Sequence, residues 1–179
     1  VYGVEPPDIP DVPKCFLWMP DTSSFRGNGD LIEYVFNWFA RKLGNEGHGF
    51  DVKISLNENS LPGLVTAFQE NSYGYIWLLS HGGKKDNPAW IAAEIYSQEA
   101  QAIERRLQLL EEYYPEEAAN IGVGIVTLID TIILKDTLYD TLYSIVINPA
   151  FIQNEIPPFH DGGSFIWVSA CYILSISKM

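Results

Sequence analysis

Apolar and polar positions along the 179-residue chain alternate in two recognisable ways. Short, nearly continuous apolar runs rich in aromatic and β-branched residues occur at Cys15–Met19, at residues 75–80 and at residues 164–172. Such runs suit strands buried on both faces of a parallel sheet. Residues 50–56 alternate instead, as a half-buried strand does. Between these runs, Leu31, Val35, Trp38, Phe39 and Leu43 recur at helical spacing behind Asp30, a good N-cap. Leu61, Leu64, Val65 and Phe68 do the same behind Ser60, facing inward. The aromatic positions Tyr34, Phe36, Trp38 and Phe39 read as core. Strand, helix, strand, helix, strand predicts a parallel sheet with right-handed crossovers.

The second half is read by the same rules. Ala89 to Tyr114 is predicted helical, with Ile91, Ile95, Ile103, Leu107, Leu110 and Tyr114 on or near one stripe and Pro115 ending it. Residues 122–129 and 131–134 predict two short strands separated at Asp130. Asp136 is expected to cap a third helix that carries Leu138, Leu142, Ile145 and Val146 inward and is closed by Pro149. Pro157-Pro158 and a Gly162-Gly163 turn lead into the last apolar run. Residues 1–14 are proline-rich without periodic pattern and read as an extended arm.

Composition narrows the function classes. With 47% hydrophobic residues the chain is globular, and its length suits one domain. A formal net charge of −12 argues against nucleic acid or an anionic membrane as partner. There is no signal peptide and no apolar run of roughly 18 residues, so a cytoplasmic location is expected. The two cysteines form no disulfide framework, and Cys15, inside the first apolar run, reads as a small hydrophobe. Cys15, His48, His160 and Cys171 lack zinc-site spacing, and no glycine loop has phosphate-binding form, so neither metal nor cofactor is expected. The chain starts without methionine and stops soon after Cys171, which reads as a processed or truncated polypeptide.

Two residues carry candidate chemistry. One apolar run stops at His81-Gly82-Gly83, another at Cys171. In open α/β sheets the working crevice lies beyond the carboxyl ends of the strands. If the two strands are neighbours, a thiol and an imidazole meet there, the parts of a nucleophilic cysteine site.

His81-Gly82 after one buried strand and Ser169-Ala170-Cys171 ending another resemble the caspase-like cysteine peptidases, a superfamily that includes caspases, metacaspases, clostripain-like enzymes and bacterial CHAT domains. The Ser-Ala-Cys triplet is most similar to the bacterial CHAT-type members. Arg26-Gly-Asn-Gly-Asp30 resembles the caspase Arg-x-Gly-x-x-Asp loop, one residue shorter, and residues 47–52 resemble the family's Leu-Gly-Phe-x-Val segment. The resemblance implies an α/β fold, a three-layer α-β-α sandwich around a mainly parallel sheet, with residues 15–179 as the peptidase domain and 84–120 as a helical insertion. It further implies that the C-terminal part of the fold is missing and is supplied by a second fragment or chain. By the same resemblance Cys171 is the nucleophile, His81 the general acid/base, and the amides of Gly82 and Cys171 the oxyanion hole. Arg26 would bind an acidic P1 side chain; Asp21, in the same loop, would instead select a basic one. The expected partner is a protein substrate. A catalytically silent binding or scaffold module with the same fold is the alternative.

Overall fold

The computed structural model describes residues 14–22, 24, 29–44, 46, 48–70, 73–84, 89–133, 136–155 and 165–169. Its elements are β1 (Lys14–Met19), α1 (Gly29–Leu43), β2 (Asp51–Leu56), α2 (Leu61–Glu70), β3 (Tyr75–Leu79), β4 (Gly82–Lys84), β5 (Ala89–Tyr96), α3 (Glu99–Glu112), β6 (Ile121–Ile133), β7 (Asp136–Ile147), α4 (Pro149–Glu155) and β8 (Phe165–Ser169). They form two sheets. The first is wholly parallel, in the order β2-β1-β3-β8; the second is antiparallel, in the order β4-β5-β7-β6. The protein is thus an α/β protein with a four-stranded parallel sheet and a separate antiparallel sheet, where the sequence pattern predicts one mainly parallel sheet.

The parallel sheet is built as expected. β1 alternates between its two faces: Cys15, Leu17 and Met19 pack with Phe36 of α1, whereas Phe16 and Trp18 pack with Leu61, Leu64, Val65 and Phe68 of α2. Helices therefore cover both faces, which is why β1 is apolar at nearly every position. Phe36 stacks on Trp77 of β3 with ring centroids 4.9 Å apart, and Phe16 stacks on Tyr73 at 5.1 Å. The α2 face continues without a break into the second sheet, so Ile91, Ala93, Leu109, Ile121, Ile145, Ile147 and Phe151 belong to the same core.

Six expectations are corrected. On α1 the inward face is Ile32, Phe36, Phe39, Ala40 and Leu43, while Leu31, Tyr34, Val35 and Trp38 are exposed. Asp30 lies inside the first turn rather than capping it. Residues 89–96 are strand β5, not the first turns of a helix; only Glu99–Glu112 is helical. Residues 136–147 are strand β7, paired along its length with β6, and Asp130 marks a register shift inside one 13-residue strand rather than a gap between two. Finally, Pro149 opens α4: Asn148 Oδ1 accepts the Phe151 N–H at 3.0 Å, and proline at the first helical position forfeits no hydrogen bond.

Gly83 has one required identity. A Cβ there would sit 2.5 Å from Trp90 Cζ2, so the indole packs directly against the backbone of β4. Among the described residues no helix is long and apolar enough to cross a membrane.

Candidate functional site

The chain enters the parallel sheet at β1, crosses to one side as β2, then returns to the other side as β3. Strand order reverses between β1 and β3, and the carboxyl ends of strands at such a switch point frame a crevice. His81 lies there, two residues beyond the end of β3, and the loop after β1 lies beside it.

Ser80 and His81 join the two sheets. The Ser80 N–H donates to the carbonyl of Ser169 at the end of β8 (3.0 Å), which holds it to the parallel sheet. The Ser80 hydroxyl donates to the Ala92 carbonyl (2.5 Å), and the Ala92 N–H donates to the His81 carbonyl (2.8 Å), which holds the same two residues to β5. The chain then continues as β4. Gly82 stands opposite Ile91, and the bond from Ala92 to His81 makes this a non-hydrogen-bonded pair of the antiparallel ladder. In such a pair the N–H points away from the partner strand, so the Gly82 amide is directed to the outer side of β4.

The His81 side chain is 9% exposed. Its Nε2 is 3.0 Å from Ser24 Oγ, and the Ser24 hydroxyl donates to the Asp21 carbonyl at 2.7 Å. Burial lowers the pKa of His81 below that of an ordinary histidine; hydrogen bonding to the Ser24 backbone and the charge of Asp21 pull the other way. The resting imidazole is therefore neutral near pH 7, the form that can accept a proton.

The expected residues are placed as follows. His81 stands at a strand carboxyl end, with the end of β8 beside it: Leu79 pairs with Ser169. Gly82 is buried at the start of β4. Asp21 is in the loop that holds Ser24, where its carbonyl serves the turn. Cys171 and Arg26 lie outside the described residues. Cys15 is fully buried, and burial pushes its thiol up to about 12, so it is no nucleophile near neutral pH. Among the described residues no three His, Cys, Asp or Glu side chains converge on a point that would hold a metal.

Sequence reasoning missed Ser24 and, elsewhere, Glu94. Glu94 is fully buried on β5 and receives both Arg105 Nε (2.9 Å) and a second guanidinium nitrogen (3.1 Å), the Tyr96 hydroxyl (2.6 Å) and the Leu61 N–H at the start of α2 (2.6 Å). Every oxygen is satisfied within the fold, so this carboxylate is a structural joint between α2, α3 and β5. A glutamate between Ala93 and Ile95 in an apolar run was the available signal.

Comparison of the chain with protein-family models, curated proteins and solved structures finds no match.

Proposed function

We propose that this chain is a caspase-like cysteine endopeptidase, in which Cys171 attacks the scissile carbonyl and His81 carries the proton from thiol to departing amine. The observation that carries the reading is the hydrogen bond from Ser80 to Ser169. It ties the residue before His81 to the strand that runs on to Cys171. Cys171 follows Ser169 by two residues, a span of at most about 7 Å, which suits a thiol that works with this imidazole. Three further features support the assignment. The imidazole is buried and held neutral, the site falls at the switch point of the parallel sheet, and the Gly82 N–H is turned away from β5.

The chemistry follows. A free thiol with pKa about 8.5 is only a few per cent thiolate at neutral pH. A neutral His81 accepts the proton as sulfur adds to the carbonyl carbon, and the amides of Gly82 and Cys171 stabilise the oxyanion. The imidazolium then protonates the leaving amine, and water hydrolyses the thioester. Arg26 suits an acidic P1 side chain and Asp21 a basic one; Arg26 is the preferred reading. β8 ends the parallel sheet among the described residues, which suits a second fragment or chain that completes the fold.

A second reading, the same fold used as a silent binding module, is favoured by one feature: Leu31, Tyr34, Val35 and Trp38 leave an apolar stripe exposed on α1. Peptidyl acyloxymethyl ketones with acidic or basic P1 side chains decide between the two. Labelling of wild type at Cys171, abolished in Cys171→Ala, supports the peptidase. Absence of labelling in wild type, or label that persists in Cys171→Ala, removes it.

A further inference from the structure

One face of α1 packs on the parallel sheet, through Ile32, Phe36, Phe39, Ala40 and Leu43. Its second apolar stripe, Leu31, Tyr34, Val35 and Trp38, has the i, i+3, i+4, i+7 spacing of a helix face made for burial, yet Leu31 and Tyr34 are 58% and 61% exposed. Isolated apolar residues on a surface are ordinary; a contiguous stripe that includes a tyrosine and a tryptophan has the composition of an interface core. The ends of the stripe are charged. Asp30 lies in the first turn of α1 and Arg41 in the last. At about 100° per residue these two, about three turns apart, fall on the same flank of the stripe. Among the described residues neither forms an ion pair, whereas Lys42 is held by Glu46.

This pattern is its own complement. Two copies of α1 laid face to face and antiparallel, related by a two-fold axis, bring equivalent flanks together with their directions reversed. Asp30 of each copy then comes opposite Arg41 of the other, Leu31 near Trp38, and Tyr34 near Val35. In a parallel pair Asp30 would meet Asp30, Arg41 would meet Arg41, and like ends of the helix dipoles would adjoin. Each of the two charges also suits the dipole of its own helix. That explains why the acid and the base stand at opposite ends, but not why they share a flank. We propose that a second copy of this chain covers the stripe, in an antiparallel two-fold dimer built on α1, with Tyr34 and Trp38 as anchors and Asp30–Arg41 pairs at the rim. The rim pairs choose the arrangement, and the net charge of −12 on each copy opposes pairings without such complementarity. The patch covers a few hundred Å² per copy against about 800 Å² per partner in a stable complex, so the dimer is weak, with a dissociation constant on the order of tens of micromolar. Association through α1 is independent of the chemistry proposed at His81.

Sedimentation velocity of the full chain, from about 2 to about 300 µM, tests this. Wild type should pass from monomer to dimer across the range. Tyr34→Glu and Trp38→Glu should remain monomeric throughout. Their urea midpoints at about 2 µM, where wild type is also monomeric, should match wild type, because neither side chain belongs to the core. Asp30→Arg and Arg41→Asp each set like charges face to face and should weaken association about ten-fold. The double variant, with the two charges exchanged, should return to within about two-fold of wild type, since the antiparallel pairing is restored. Wild type that stays monomeric to the highest concentration overturns the inference, as does a dimer that survives both Tyr34→Glu and Trp38→Glu. A double variant no tighter than either single reversal overturns the antiparallel arrangement and the inference with it.

Discussion

His81 is a buried base whose neutral form the fold prefers, and that preference is a statement about stability as well as chemistry. Its pKa in the native state is below the unfolded value of about 6.5. Between those two values the unfolded chain binds a proton that the native protein refuses, so stability is fully present above the unfolded pKa and is lost as pH falls toward the native one. Urea denaturation of wild type and His81→Gln between pH 8 and pH 5 should therefore show a difference that is constant above pH 7 and turns against wild type below about 6.5. A difference that stays flat to pH 5 would mean that burial of the ring does not disfavour its charge. Cys15 shows the same physics without function: its thiol is held protonated by the core that surrounds it.

At the scale of elements, the second sheet is fastened by side chains that no periodicity reveals. Glu94→Ala removes the partner of Arg105, of the Tyr96 hydroxyl and of the Leu61 N–H together. It should cost about 3–5 kcal/mol, the usual range when one member of a buried ion pair is deleted. Equilibrium urea unfolding measures it, and a loss under about 1 kcal/mol would show that α2 and α3 are held by apolar packing alone. Legibility followed packing geometry. On α2 one stripe (Leu61, Leu64, Val65, Phe68) faces the core, and it was read correctly. α1 carries two apolar stripes, so spacing alone could not choose between Phe36 and Trp38 as the buried aromatic. β5 and β7 were read as helices because residues four apart share a face of a helix and, four being even, of a regular strand too. Ile91 and Ile95 fit the first pattern; Ala92, Ala93 and Glu94 between them are fully buried, which only a strand covered on both faces explains. Thr137, Tyr139, Thr141 and Tyr143 of β7 were the overlooked counter-signal, since β-branched and aromatic residues favour strands. In the site, a histidine at a strand end is visible in sequence. Ser24 is not, because its contact with the imidazole joins segments 57 residues apart along the chain.

For the whole molecule the decisive feature is that one dipeptide belongs to both sheets. The Ser80 N–H is bound to β8, its hydroxyl and the next carbonyl to Ala92 of β5. The halves also meet through apolar contacts and through side-chain bonds between Asn59 and Ile95 and between Leu61 and Glu94; Ser80 and His81 add directional bonds at the strand ends themselves. The Ala92 amide thus acts as a built-in gauge of the joint. In deuterated solvent it should exchange as slowly as Ile76 in the centre of β3, and Ser80→Ala should speed Ala92 at least ten-fold while Ile76 barely changes. Equal acceleration of both would mean that the halves open as one cooperative body. Unequal acceleration would mean that the protein can part along this line, and that the imidazole travels with whichever half retains its carbonyl.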